Sequence, residues 1–447
     1  MSLAVRGGAG LGRRRVGGDG SAFGWVAVAL LLTGAVVEFG LLAVWQRNGY
    51  WDFSDGVYAL SARELVHGLA PYRDFAAAQP PPVYVAGAVL LAVQDGLTGL
   101  RAGLALVDLV TGVLVGVAVW RLSGRRWLAV AAAGVAPLLP ISLHEHAQLT
   151  PETLAAPLLL GGALWCARRP RATAGAVLLA LAAACKLAFV IPAVAIALAS
   201  PARRRTLLGL VASGVVLAGL SLAVFGTGVW RQTVVAQLQV GRAPLHYVAG
   251  LIAQGVWSEV VPAVAALVAV LLASRGRVYV REPALLRTLA AGAGAGLLLG
   301  LTVVKRGSYI NVLVVAEPPL LALAACGAAW SWERWHRWRA LIVALGALVA
   351  LQSLSILTSP ADPWAAKRPG AESGLAWSAS PTIVDRAVSE ARRCPSSVAY
   401  SGPPYIAFLA SRAMPGNQPD LFMLKNARDD ANFANRAATD QPRCPAP

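Results

Sequence analysis

Nine apolar runs, each about long enough to cross a bilayer as a helix, follow one another near 22–45, 100–120, 127–143, 152–168, 206–224, 255–274, 284–304, 309–330 and 339–358. Two shorter runs, 172–185 and 187–199, flank a single Lys186. Arginine clusters punctuate the series: Arg6 with Arg13, Arg14 and Arg15; Arg121, Arg125 and Arg126; Arg168, Arg169 and Arg171; Arg203, Arg204 and Arg205; four from Arg275 to Arg287; and Arg334, Arg337 and Arg339. Short loops rich in Lys and Arg stay on the cytoplasmic side. With all six clusters inside, twenty basic residues lie there and nine in the intervening outer loops. Parity then makes 172–199 a tight pair of short helices with Lys186 at the outward apex. It also leaves 81–97, with about 13 apolar residues, as a re-entrant or interfacial hairpin.

The pattern predicts an all-α polytopic membrane protein with about 11 to 13 transmembrane helices. Residues 1–21 form a cytoplasmic amino-terminal tail, 22–358 the transmembrane domain with a first outer loop at 46–82, and 359–447 a small extracytoplasmic α/β appendage. Within the appendage we expect a helix over 382–393, a strand over 397–400 and a helix from the 401–404 turn to Arg412. The location implied is the cell (plasma) membrane.

Composition agrees: 57% of residues are hydrophobic and 14% charged, with mean hydropathy +0.60, where soluble proteins carry about 25% charge. The net charge of +17 reflects the arginine clusters, so it argues for topology rather than for a nucleic-acid partner. Of five cysteines, Cys166, Cys185 and Cys326 lie in or beside membrane helices, while Cys394 and Cys444 lie in the outward tail. An oxidising compartment permits those two to form a disulfide; two free thiols are the alternative. Gly292 to Gly296 (Gly-Ala-Gly-Ala-Gly) sits inside an apolar run and reads as close helix packing rather than a nucleotide loop.

Outer loops must carry the chemistry, and 46–82 is unlike the rest. Asp52 and Asp55 stand just after the first apolar run, and Val57, Leu60, Leu65, Val66 and Leu69 alternate with Ser61, Arg63, Glu64 and His67, which predicts an amphipathic helix on the membrane surface. The residues Asp55-Gly56-Val57-Tyr58-Ala59, Ala62-Arg63, Gly68, Pro71-Tyr72-Arg73-Asp74-Phe75 and Gln79-Pro80-Pro81-Pro82-Val83-Tyr84 resemble the first outer loop of GT-C glycosyltransferases. The branch most similar contains protein O-mannosyltransferases, the lipid A aminoarabinose transferase and actinobacterial relatives. Residues 149–160 around Glu152 resemble the family's second outer loop, Cys185-Lys186-Leu187 its helix ending in Lys, and Lys305-Arg306-Gly307-Ser308-Tyr309 with Glu317-Pro318-Pro319 its late basic-Tyr segment.

The resemblance implies transfer of a sugar from a polyprenyl-phosphate donor to a cell-envelope glycan, lipid or protein acceptor on the extracytoplasmic face, with no nucleic acid involved. In that reading Asp55 and Glu152 are the catalytic carboxylates, able to take or position the acceptor hydroxyl's proton. Lys186, Lys305 and Arg306 hold the carrier phosphate as its charge grows, and Tyr309, Asp52, Arg63, Gln79, His144 and His146 line the substrate. Gln79 stands where relatives tend to carry a basic residue before Pro-Pro. Each residue has a plainer role open to it: Asp55 as a helix N-cap, Glu152 as an acid at a helix N-terminus, Lys186 as a snorkelling side chain, and Lys305 with Arg306 as interfacial anchors. Asp108 and Glu317, inside apolar runs, read as structural polar contacts.

The pair His144 and His146 lacks a third ligand nearby, so no metal is assigned; some superfamily members use a divalent cation and others do not. The rival class is a multispanning transporter or flippase of a lipid-linked substrate, against which stands the lack of repeat-related halves. A non-catalytic assembly protein on the same scaffold is the third reading.

Overall fold

The computed structural model describes residues 53–145, 148–305, 308–358, 381–395, 398–400, 402–420 and 443–444. In chain order the helices are α1 (Phe53–Val66), α2 (Pro82–Val93), α3 (Leu97–Ser123), α4 (Arg126–Val135), α5 (Pro140–His144), α6 (Pro151–Cys166), α7 (Ala172–Cys185), α8 (Val190–Ala199), α9 (Arg203–Phe225), α10 (Leu245–Ser274), α11 (Pro283–Leu298), α12 (Glu317–Arg334) and α13 (Arg339–Thr358). Among the described residues four helices are long and apolar enough to cross a membrane: α3, α9, α10 and the stretch Pro283–Val304, in which α11 tightens into a 3-10 turn. Local chemistry sets their ends. Proline opens α2, α6, α11 and α12, where its missing N–H costs nothing, and Gly124, at φ 76°, closes α3 in the left-handed conformation that glycine tolerates.

Among the described residues, four of the arginine clusters meet at one end of the bundle. Arg121 and Arg168 share Glu282, the latter at 2.7 Å; Arg125 pairs with Glu333 at 2.5 Å; and Arg334 donates to the carbonyl of Arg277 at 3.5 Å. Burial alone would raise the Glu282 carboxyl, but its bonds to Arg121 and Arg168 hold it down to about 2. The pair α7–α8 runs out and back from this end. Ser200, just past α8, donates to the carbonyl of Cys166 at 2.7 Å, while Lys186, between the two helices, reaches Glu152 at the far end of α6. The Gly292–Gly296 stretch packs closely as expected: a Cβ on Gly296 would lie 2.9 Å from that of Ala316. Glu317 is structural too, accepting from the backbone N–H groups of Ile141 and Ser142 at 3.0 and 2.7 Å and from the Ser142 hydroxyl.

One expectation is corrected at the opposite end: α1 begins at Phe53, before Gly56, and does not lie on a surface, since residues 57–62 are all buried, polar Ser61 included. Part of its cover is the tail, whose described elements are helix α14 (Pro381–Arg393), the parallel pair β1 (Ala399–Tyr400) and β2 (Arg443–Cys444), and helix α15 (Pro404–Ala410). Val57, Leu60, Tyr84, Val384, Ala387, Tyr405, Ile406 and Phe408 share one apolar cluster. A Cβ on Gly56 would meet the Tyr405 backbone at 2.5 Å, so α15 lies directly on the α1 backbone. Helix α2 has twelve residues, roughly 18 Å of helix, short of a hydrocarbon core of about 30 Å.

Candidate functional site

Helix α6 starts at Thr150, whose side chain caps it by accepting from Thr153 N at 3.3 Å, and this places Glu152 in the first turn at the end of the bundle away from the arginines. Glu152 is 1% exposed. Its Oε1 accepts from Lys186 Nζ at 2.6 Å, whereas Oε2 has no hydrogen-bond partner, an arrangement that leaves a buried carboxylate oxygen chemically available. Lys305 follows the 3-10 turn after α11 and joins the group: Nζ donates to Gln237 Oε1 at 2.7 Å, and burial together with the neighbouring Lys186 charge pulls its ammonium below the ordinary value. Lys186 is paired with Glu152, and the neighbouring Lys305 has a neutral partner, which leaves a net positive charge suited to a phosphate.

Asp55 stands in the first turn of α1, also 1% exposed. Its Oδ2 accepts from Arg101 Nη2 at 2.5 Å and its Oδ1 from Leu149 N at 3.0 Å. Arg101, on α3, also bonds the hydroxyl of Tyr405 in the tail; burial pushes that phenol up to about 12, against the pull of Arg101. The Asp55–Arg101 pair therefore ties α1, α3 and α15 together, and through Leu149 it holds the turn that leads into Glu152.

The irregular segment 70–79 forms the next wall. Ala77 N donates to Gln232 Oε1 at 2.9 Å, Gln232 Nε2 donates to the carbonyl of Tyr72 at 3.0 Å, and Gln237 Nε2 donates to that of Ala78 at 3.3 Å. Gln79 N donates to the Tyr84 hydroxyl at 3.1 Å, and the Gln79 side chain bonds Tyr58. Burial raises the Tyr58 phenol well above its ordinary value, and Tyr84 and the carboxylates of Glu152 and Asp420 push the same way. Glu152, Gln79, Tyr84 and, from the tail, Asp420 thus lie around Tyr58.

No family model matches the sequence, and no curated protein matches it. Solved structures do. The fold is that of ArnT. The crystal structure of ArnT from Cupriavidus metallidurans bound to undecaprenyl phosphate superposes with a TM-score of 0.60 over 94% of this chain and 90% of that one, at 16% identity. The apo structure of the same ArnT gives 0.62 with the same coverage and identity. At this identity the similarity to ArnT establishes the fold, and with the long apolar helices it places the chain among membrane proteins.

The structure brings Glu152, Lys186, Lys305 and Gln79 together and sets Asp55 behind them. Arg63, expected against substrate, is committed elsewhere: Nη1 donates to the carbonyl of Phe408 at 2.5 Å, the guanidinium stacks 3.9 Å from the Phe408 ring, and Nη2 lies 3.5 Å from Asp95. Tyr309 is buried in the main core of the bundle. Asp52, His146 and Arg306, and the side chain of His144, lie outside the described residues. Among the described residues no group of three or more His, Cys, Asp or Glu is placed to hold a metal. Sequence reasoning missed Arg101, Tyr405, Gln232, Gln237 and Gln418. An arginine one residue into an apolar run was the one available signal, since such charges need a partner.

Proposed function

We propose that this protein is a GT-C-type membrane glycosyltransferase that moves a sugar from a polyprenyl-phosphate donor to an acceptor hydroxyl outside the cytoplasm. The observation that carries the reading is the Lys186–Glu152 pair at the end of the bundle opposite the arginine clusters, with Lys305 near enough to Lys186 to feel its charge. Lys186 and Lys305 bind the phosphate, with Arg306 beside them in the chain, and stabilise it as the sugar leaves. Glu152 accepts the acceptor's proton through Oε2. Asp55 is the proton acceptor suggested by the resemblance, but its oxygens are engaged by Arg101 and Leu149, so we assign it the positioning of the Glu152 turn. Support for a lipid-phosphate donor comes from the fold shared with an ArnT that was crystallised with undecaprenyl phosphate.

The tail, linked by a Cys394–Cys444 disulfide, covers the outer mouth and shapes acceptor access. Cys394 is disulfide-bonded and Cys166, Cys185 and Cys326 are free, which leaves Cys444 as its partner in a chain of five cysteines. The sugar is a hexose-type unit in this reading, and the cytoplasmic end is the one that carries the arginines.

A titration of the purified protein with undecaprenyl phosphate tests the reading. Saturable binding that weakens in Lys186→Ala and Lys305→Ala supports it. Lipid movement across vesicles with no sugar transferred would favour the transporter class.

A further inference from the structure

The segment 70–79 has three glutamine partners, and one of them comes from far along the chain. Gln418, fully buried, accepts from Ala76 N at 2.8 Å and donates to the carbonyls of Asp74 at 3.4 Å and Gly416 at 3.1 Å. Gln232 and Gln237 belong to the bundle's own stretch 231–239, but Gln418 belongs to the tail and reaches Ala76 with the tail docked through α15. That docking is itself specific: Gly56 admits the Tyr405 backbone, Arg63 stacks on Phe408, and Arg101 bonds Tyr405. A buried backbone N–H stripped of its acceptor favours another conformation by a factor of roughly ten to a hundred. The peptide after Ala76 leads within three residues to Gln79, which bonds Tyr58 next to Glu152.

We propose that Gln418 is a positioning residue of the transfer site: it holds Ala76 so that Gln79 and Tyr58 are presented beside Glu152, which makes the docked tail a requirement for turnover rather than a cover alone. This rests on the transferase reading above. Gln232 holds Ala77 N and the Tyr72 carbonyl, and Gln237, which holds the Ala78 carbonyl, also bonds Lys305, so loss of Gln418 releases Ala76 N and the Asp74 carbonyl and leaves the cation end held. The consequence is a separation of effects. Turnover depends on Gln418, and binding of the carrier phosphate does not.

The test uses the full-length protein with Gln418→Met, which keeps the length of the side chain and removes both hydrogen-bonding functions. Amide hydrogen exchange over 70–79 is expected to accelerate about tenfold to a hundredfold, with α6 unchanged, and kcat to fall by a similar factor while undecaprenyl phosphate affinity stays within about twofold. In a Gln79→Ala background the same substitution is expected to cost less than about twofold more, because the two residues act through one segment. Unchanged exchange over 70–79 overturns the proposal, and so does a full, independent loss in the Gln79→Ala background. If Gln418→Met does not fold, Gln418→Asn, which keeps the amide on a shorter stem, is measured in the same way and is expected to show a smaller effect of the same kind. A wild-type protein that transfers no sugar defeats the transferase reading instead, and the wild-type control reveals this before any variant is compared.

Discussion

Asp55→Asn separates two accounts of the first outer loop. The substitution preserves shape and the acceptor for Leu149 N, but it leaves Arg101 without its counter-charge at 2.5 Å, with side chains 4% and 2% exposed. Removing one partner of such a pair costs about 3 to 5 kcal/mol, much of it the penalty of the remaining uncompensated charge. The first expected result is therefore loss of stability in detergent, with loosening of α15, because Arg101 also bonds Tyr405. The decisive variant is the double substitution Asp55→Asn with Arg101→Met, in which no charge is buried and Asn still accepts from Leu149. Replacing a buried pair by uncharged groups of similar size is often neutral, so thermal denaturation is expected to recover the charge penalty and to fall short of wild type only by the lost Arg101–Tyr405 bond, about 1 to 3 kcal/mol, and sugar transfer to return with it. If Asp55 were the proton acceptor, the stable double variant would stay down by about 10² or more. That outcome would refute the assignment of Glu152.

Four further expectations follow from the structure. Glu152→Gln removes the proton acceptor and should lower turnover by about 10² or more while carrier binding persists; near-normal turnover would remove Glu152 from the mechanism. Lys186→Ala and Lys305→Ala should each weaken undecaprenyl phosphate binding by roughly tenfold to a hundredfold, the worth of a charge-assisted bond of about 1.5 to 3 kcal/mol. Because Lys305 sits below its ordinary value, the phosphate contact is present below that lowered pKa and lost as pH rises through it, at a pH where an ordinary lysine, near 10.4, is still charged; Lys305→Arg should flatten this alkaline limb in a binding titration. Cys394→Ser should cost the tail about 2 to 4 kcal/mol, read as faster proteolysis between 394 and 444, and an unchanged cleavage rate would count against the pairing with Cys444.

The bundle was legible because its signals are local. A lone lysine between two short apolar runs implied an apex, and Lys186 stands between α7 and α8 at their shared end. Glu152 was open to reading as an acid at a helix N-terminus, and it occupies the first turn of α6. The first loop was read half correctly. Its alternating apolar positions gave the helix, but they could not distinguish a membrane surface from a protein partner, and the partner was α15, about 350 residues away in the chain. Arg63 and Gln418 were illegible for the same reason: a cation on an amphipathic helix and a glutamine in a polar tail acquire their meaning only from the contact between them and distant backbone groups. Asp55 was found for its position, but its partner was not, because Arg101 looked like the edge of an apolar run.

The most direct measurement is transfer of radiolabelled sugar from a polyprenyl-phosphate donor to endogenous acceptors, in vesicles holding equal amounts of wild-type protein or Glu152→Gln. The account predicts label in a non-lipid-carrier product with wild type, a loss of about 10² or more with Glu152→Gln, and equal undecaprenyl phosphate binding by both. Equal transfer by the two proteins would contradict it.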